Sequence, residues 1–172
     1  GIGKKLIEFA APFGVEITAV NRSGRDVSGA ERTVAMGDVE AMEVVWSESD
    51  CVVLLAPLTA ETRHLVDATV LAKMRNNAVI VNVGRGALID TKALTTALQD
   101  GAIAGAGLDV TDPEPLPADH PLWEMDNVVI TPHTANIPRF MARRVGALAA
   151  RNWELFAAGE SMSTEVDVEA GY

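Results

Sequence analysis

Residues 78–86, Ala-Val-Ile-Val-Asn-Val-Gly-Arg-Gly, join a short apolar run to a turn that carries one charged side chain, Arg85. A run this short, bounded by Asn and Gly, is typical of a strand buried on both faces of a parallel sheet. The pattern recurs twice, because Glu114 follows the run at 103–108 and His133 follows the run at 128–130. The carboxyl ends of parallel strands share one edge of a sheet, so we expect the three charged residues there.

The order of apolar patterns along the chain predicts the fold class. Short apolar runs predict five strands and a weaker sixth at 34–36, the five being 15–20, 52–56, 78–81, 103–108 and 128–130. Helical periodicity predicts helices at 4–13, 38–46, 67–74, 91–98 and 138–158. Strands that alternate with helices in this way indicate an α/β fold built on a parallel sheet.

Composition limits the possible partners. The 172 residues, 48% of them hydrophobic, can form one sizeable core, and no apolar run reaches the ~20 residues of a membrane-spanning helix. A net charge of −10 argues against nucleic-acid or anionic-membrane surfaces, which need clustered positive charge. The single cysteine, Cys51, is expected to be buried in a strand and suits a reducing, cytoplasmic compartment. No cluster has metal-ligand spacing, so we predict no metal.

Three motifs together resemble one enzyme family. They are Asn-Val-Gly-Arg-Gly at 82–86, Asp-Val-Thr-Asp-Pro-Glu-Pro at 109–115 and Ile-Thr-Pro-His-Thr-Ala-Asn at 130–136. Both the motifs and the intervals between their charged residues, 29 (85 to 114) and 19 (114 to 133), resemble the D-2-hydroxyacid dehydrogenases. That family includes phosphoglycerate dehydrogenase and the glyoxylate and hydroxypyruvate reductases. The resemblance covers nearly the whole chain and implies a Rossmann-type doubly wound parallel sheet that binds NAD or NADP.

The resemblance implies reversible hydride transfer between a nicotinamide and a 2-keto or 2-hydroxy acid. His133 would exchange a proton with the substrate oxygen, and Glu114 would orient its ring and favour the charged form. Arg85 would hold the substrate carboxylate and carbonyl with its planar fork of donors. Each residue also has a simpler interpretation: His133 as a turn residue, Glu114 as a solvated loop acid and Arg85 as a surface cation.

A set of cofactor-binding residues is implied in the same way. They are Gly1, Gly3, Asn21, Arg22, Ser23, Ala56, Pro57, Val83, Gly84, Arg85, Asp109, His133 and Ala135. Asp109 would bind the nicotinamide carboxamide. Members of the family that prefer NAD carry an acidic residue where this chain has Asn21, and the neighbouring Arg22, Ser23 and Arg25 could bind a 2′-phosphate. NADP is therefore favoured, unless these are ordinary surface-turn residues.

The first residues suggest how the chain is organised. Gly3 is interpreted as the third glycine of a Gly-x-Gly-x-x-Gly fingerprint, because taking Gly1 and Gly3 as its first two would require glycine where Leu6 stands. The sheet would then lack its first strand, and nothing here matches the family's N-terminal substrate domain. We expect residues 1–150 to form the NAD(P)-binding domain and 151–172 to form a helix end and a tail that returns to that absent domain. Such a chain should not fold alone.

The sequence leaves other functions open. The family's homodimers suggest that this chain also pairs with a second copy. Formate dehydrogenases look similar but usually carry glutamine at the position of Glu114, which argues against that activity. A non-catalytic nucleotide-binding module, similar to the corepressors on this scaffold, or an inactive truncated remnant would keep the fold without turnover. The substrate cannot be inferred, so glyoxylate and hydroxypyruvate are the first compounds to try.

Overall fold

The computed structural model describes residues 1–136, 138–162, 164–166 and 168, and the described strands are all parallel. The first two form a pair, β1 (Thr18–Asn21) and β2 (Arg32–Ala35). The other four form a second sheet in the order β3-β4-β5-β6, comprising Cys51–Leu54, Val79–Asn82, Gly105–Leu108 and Val128–Ile130. The predicted α/β, Rossmann-type parallel fold is therefore confirmed, and so is the weaker strand near residue 34.

One helix precedes the first described strand, and the others come between or after the strands. The helices are α1 (Ile2–Ala10), α2 (Val39–Glu48), α3 (Ala68–Leu71), α4 (Thr91–Gln99) and α5 (Pro138–Ala157). Three of them begin behind an aspartate whose carboxylate accepts an N–H three residues further on, at Asp38, Asp67 and Asp90. A side-chain oxygen at this position satisfies one of the helix's unpaired N–H groups, which explains why these helices start where they do.

The core joins the four-stranded sheet to α2, α3 and α4. Its most buried large side chains include Ile80 on β4, Leu94 on α4 and Leu71 on α3, each no more than 1% exposed. Burying one such side chain contributes about 2 kcal/mol. Val34 on β2 belongs to the same cluster as Val45 on α2, so α2 connects the smaller sheet to the larger one.

Some element boundaries differ from the sequence-based expectation. The strand expected at 15–20 begins only at Thr18, because pairing with β2 starts there, and Val15 is 48% exposed. The helix expected at 67–74 is the single turn α3, after which the N–H groups of Lys73 and Met74 bond three residues back instead of four. Such tightening is common where a helix ends.

The expectation that Cys51 is buried was wrong. Cys51 is the first residue of β3, which is an edge strand of its sheet, and its side chain is exposed. What burial it has still raises the pKa of the thiol, which lowers its thiolate fraction at neutral pH.

β1 is an edge strand of the two-stranded sheet, and β3 is an edge strand of the four-stranded sheet. Within the described residues, β1 pairs only with β2, and β3 pairs only with β4. Among the described residues, no strand pairing joins the two-stranded sheet to the four-stranded one.

The last helix, α5, carries the apolar stripe that its sequence predicts. Met141, Val145, Leu148 and Phe156 are all exposed, at 39% to 66%. The domain boundary expected at residue 150 falls inside this helix. In the described part of the chain, no helix combines the length and the apolar character that crossing a bilayer would require.

Candidate active site

The Arg85 turn, residues 82–86, begins where β4 ends. Asn82 is 1% exposed and shapes the turn with both ends of its amide: Oδ1 accepts from Gly84 N at 3.0 Å, and Nδ2 donates to Arg85 O at 2.9 Å. These bonds present the Arg85 side chain at the carboxyl edge of the sheet, where it is exposed. Within the described residues its guanidinium donates to Gly84 O at 2.8 Å, and no bond joins it to Glu114 or His133.

Gly86 allows the Arg85 turn to approach the next loop closely. A Cβ built at Gly86 would lie 1.9 Å from the carbonyl oxygen of Thr111, far inside van der Waals contact. Thr111 belongs to the Glu114 loop, residues 109–115, which follows β5. The absent side chain at Gly86 is therefore what lets these two loops pack against each other.

The Glu114 loop is held by hydroxyl groups. Thr91, the first residue of α4, donates from Oγ1 to Asp112 O at 2.6 Å, and Thr111 Oγ1 donates to Pro113 O at 2.9 Å. The Asp112–Pro113 and Glu114–Pro115 peptide bonds are both cis. The two hydroxyl bonds hold the backbone just before Glu114.

His133 lies in the His133 loop, residues 131–135, directly after β6. Its Nδ1 is 2.7 Å from Glu114 Oε1, and the two side chains are 49% and 43% exposed. The backbone of His133 has φ 54°, in the left-handed region, and its N–H donates to Asp109 O at 2.9 Å. The structure thus brings His133 and Glu114 together through one of the two ring nitrogens.

Asp109, the first residue after β5, is the buried charge of this region, at 6% exposure. Its Oδ1 accepts from Thr131 Oγ1 at 2.5 Å and from Thr134 N at 2.8 Å, and its Oδ2 accepts from Ala135 N at 3.0 Å. Burial raises its pKa, but these hydrogen bonds and the nearby positive charge of His133 outweigh that effect. The pKa of Asp109 therefore lies below its ordinary value.

The lowered pKa of Asp109 gives a testable pH dependence. A carboxyl whose pKa is lowered by folding contributes stability that is complete above its unfolded value, about 3.9, and is lost as the pH falls through the folded value. We expect Asp109→Asn to lower the thermal midpoint by a constant amount above about pH 5, and by a shrinking amount towards pH 3. Thermal melts of both proteins across this range measure it. A difference that stays constant down to pH 3 would contradict the assignment.

The Asn21 turn, residues 21–25, follows β1. Asn21 Oδ1 accepts from the N–H groups of Ser23 and Arg25 at 3.0 and 3.2 Å, and Nδ2 donates to Arg25 O at 2.7 Å. The side chain of Asn21 is thus engaged in holding the turn, while Arg22, Ser23 and Arg25 are exposed on it. Two cationic side chains and a hydroxyl consequently lie at the carboxyl end of β1.

The remaining cofactor candidates follow β3 and β4 or open the chain. A Cβ on Gly84 would lie 3.2 Å from Ala56 O, and Val83 N donates to Leu54 O at 3.4 Å, so the segments after these strands adjoin. Pro57 O accepts from a threonine hydroxyl in the same segment. Gly1 precedes α1, and Gly3 lies in its first turn. A Cβ on Gly3 would meet Leu55 Cδ1 at 3.5 Å, an ordinary contact.

Sequence reasoning overlooked the polar residues that support the site. Asn82 and Thr131 lie within two of the quoted motifs and Thr91 lies outside them, but the motifs do not indicate which atoms these side chains bind. For Asn82, a polar residue at the end of an apolar run is a further signal. Within the described residues, no group of three or more His, Cys, Asp or Glu side chains is arranged to hold a metal ion.

Residues 1–135 match the sequence model of one family, described as the D-isomer specific 2-hydroxyacid dehydrogenase, NAD binding domain. The chain belongs to this family. The match to this D-2-hydroxyacid dehydrogenase domain includes all three charged residues of the candidate site and every cofactor candidate from Gly1 to Ala135.

Relatives of this dehydrogenase domain are longer than the chain. An uncharacterized protein of Corynebacterium melassecola is 59% identical over 100% of the chain and 56% of its own length. A glyoxylate reductase of Aeropyrum pernix is 40% identical over 92% of the chain and 47% of its own length. The NADPH-dependent glyoxylate/hydroxypyruvate reductase of Sinorhizobium meliloti, solved with NADP and sulfate, has a TM-score of 0.89 at 29% identity, covering 99% of the chain and 54% of that structure. The chain spans about half the length of the curated relatives it matches.

Proposed function

We propose that the protein carrying this chain is an NAD(P)-dependent oxidoreductase that interconverts 2-keto acids and D-2-hydroxy acids. The observation that supports this best is the 2.7 Å contact between His133 Nδ1 and Glu114 Oε1 at the edge of a sheet in this family's nucleotide domain. A histidine whose one nitrogen is held by a carboxylate has a defined orientation, so its other nitrogen can act as a proton donor.

In this proposal each residue has one task. The nicotinamide, when bound, supplies or accepts the hydride. His133 donates a proton from Nε2 to the substrate oxygen during reduction and takes it back during oxidation, while Glu114 holds the ring. Arg85 binds the substrate carboxylate and carbonyl, which suits a guanidinium because its donors match both oxygens in one plane.

The residues present fit a dinucleotide. Doubly wound sheets bind such ligands at the carboxyl ends of their strands, and the Asn21 turn, the Arg85 turn and Asp109 come at the carboxyl ends of β1, β4 and β5. Asp109 still has one acceptor position, because a carboxylate offers about four lone pairs and three are filled here. That position is at Oδ2 and could receive an N–H of the nicotinamide carboxamide, as the sequence predicts.

The substrate is proposed from the relatives. Two of them are named for glyoxylate or hydroxypyruvate reduction, and we propose these 2-keto acids as substrates of the natural protein that carries this chain. The test is oxidation of NADPH and of NADH by that protein with glyoxylate, hydroxypyruvate and phenylpyruvate. Turnover with any of them supports the proposal. Binding of the nucleotide without turnover would favour a non-catalytic nucleotide-binding module or an inactive remnant.

NADP is the proposed preferred cofactor, and Asn21 provides the test. Asn21→Asp keeps the acceptor for the N–H groups of Ser23 and Arg25, loses the Nδ2 donor to Arg25 O, and adds a negative charge where a 2′-phosphate would lie. Two charges 4 Å apart near a surface interact by about 4 kcal/mol before screening, so we expect kcat/KM for NADPH to fall about 10- to 100-fold relative to NADH.

A matched control for this change is Asn76→Asp, which adds the same charge in the exposed turn before β4, at the opposite edge of the sheet. It should leave the ratio of NADPH to NADH efficiency within about twofold, since a charge that far away is screened. An equal loss of NADPH preference in both variants would mean that net charge, and not the Asn21 turn, sets the preference.

The wider assembly is also a proposal. We propose that residues 1–150 form the nucleotide-binding domain of a longer protein, that residues 151–172 lead back to its substrate domain, and that a strand fills the position between β1 and β3. The apolar stripe on α5 is 39% to 66% exposed. Exposed apolar patches mark interaction sites, so this stripe suits a homodimer contact. A cytoplasmic location and the absence of a nucleic-acid or membrane partner stay predictions.

A further inference from the structure

The His133 loop is anchored by a buried charge that touches no catalytic group through its side chain. The carboxylate of Asp109 receives the Thr131 hydroxyl at 2.5 Å and the backbone N–H groups of Thr134 and Ala135. These three donors come from both sides of His133. The bond from Thr131 has the short length that is typical of a hydroxyl donating to an ionised carboxylate.

The loop needs an anchor because its backbone is in an unfavourable conformation. His133 has φ 54°, in the left-handed region that residues other than glycine adopt uncommonly. The contact between His133 and Glu114 is itself about half exposed, so it competes with water and constrains the backbone weakly. The three donors to the Asp109 carboxylate, together with the bonds from the His133 N–H to the carbonyl oxygens of Asp109 and Thr131, hold the conformation of His133.

We propose that Thr131 is a positioning residue for the reaction, acting through Asp109 on His133. Its hydroxyl is the only side-chain donor that Asp109 receives in the described part of the chain. This hydroxyl and the Thr134 N–H together occupy both acceptor positions of Oδ1. Oδ2 then accepts from Ala135 N and keeps one acceptor position open. Thr131 thereby fixes the orientation of the Asp109 carboxylate, which in turn positions His133. This inference rests on the proposed dehydrogenase function.

The test compares Thr131→Val, which keeps the shape and removes the hydroxyl, with Thr131→Ser, which restores the hydroxyl, in the natural protein that carries this chain. Thr96→Val is the matched control, because the Thr96 hydroxyl is exposed and bonds only within α4. Two readouts are used: kcat and KM for NADPH-dependent reduction of glyoxylate, and the ¹⁵N signals of the His133 ring without any keto acid, assigned with His133→Asn.

Thr131→Val should lower kcat about 10- to 100-fold, because a displacement of about 1 Å in a catalytic group has an effect of this size. KM for glyoxylate should change by less than about threefold, since Arg85 is held by Asn82 instead. Thr131→Ser should recover most of kcat, and the His133 ring signals should shift in the valine variant alone.

A kcat for Thr131→Val within about twofold of wild type and unchanged ring signals would overturn the inference. So would a serine variant as slow as the valine variant, because the methyl group would then matter and not the hydroxyl. Failure of the wild-type protein to turn over any 2-keto acid would instead contradict the proposed function. In that case the ring signals still test the anchor by themselves.

Discussion

Replacing His133 with asparagine is expected to lower kcat for 2-keto acid reduction about 10³-fold, a larger effect than we expect from any other single substitution. Asparagine tolerates the left-handed backbone that His133 adopts at φ 54°, so the loop should keep its shape. The variant loses the proposed proton donor next to Glu114, and an amide cannot supply a proton in its place. Binding of NADPH in the absence of keto acid should change little.

His64 offers a matched control for this change. It is also an exposed histidine at positive φ, 52°, and its backbone N–H bonds Ala87 O, but its ring has no part in the proposed site. His64→Asn should keep kcat within about threefold of wild type. Steady-state kinetics with saturating NADPH measure both variants. Equal activity of His133→Asn and wild type would remove His133 from the chemistry.

Gly86→Ala is expected to have the second largest effect, on both stability and turnover. The new Cβ would lie 1.9 Å from Thr111 O, so the Arg85 turn and the Glu114 loop must separate. Overpacking of this kind typically costs about 1–3 kcal/mol and occasionally more. Both loops carry site residues, so kcat/KM should fall together with the free energy of unfolding.

Gly37→Ala controls for loss of a glycine, because a Cβ there meets nothing within 4 Å and the backbone is not in the left-handed region. It should leave the thermal midpoint and kcat/KM close to wild type. The measurements are thermal melts and steady-state kinetics of both variants. A Gly86→Ala protein with unchanged midpoint and kcat/KM would show that the two loops do not pack against each other at Gly86.

The fold was largely predictable because buried parallel strands have a distinctive pattern. Runs such as 78–81 and 128–130 are short, apolar and followed by turn residues, and both lie on strands of the four-stranded sheet. The start of β1 was not predictable, since residues 15–17 have a strand-like composition and only the location of the partner β2 decides where pairing begins. The burial of Cys51 was mispredicted for a related reason. The apolar run that contains Cys51 does not reveal that β3 is an edge strand and that Cys51 is its first residue.

The candidate site was predictable where charged residues carry it. Arg85, Glu114 and His133 all follow strands, and the structure brings two of them into contact. The supporting bonds were not predictable, because each depends on which atom of a distant segment lies nearby. Thr131 and Asp109 are 22 residues apart, and Thr91 and Asp112 are 21 apart. The need for glycine at position 86 was not predictable either, because a Cβ there would clash with Thr111 O, and only the folded chain brings Thr111 next to Gly86.

The most direct test of the dehydrogenase function follows the hydride itself. The natural protein that carries this chain is given hydroxypyruvate and NADPH with both hydrogens at C4 of the nicotinamide replaced by deuterium, and the product is examined for label and configuration. We predict deuterium at C2 of D-glycerate with the wild-type protein and its loss in His133→Asn under the same conditions. Bound NADPH with no label transferred to C2 by the wild type would contradict the dehydrogenase function and favour a nucleotide-binding module.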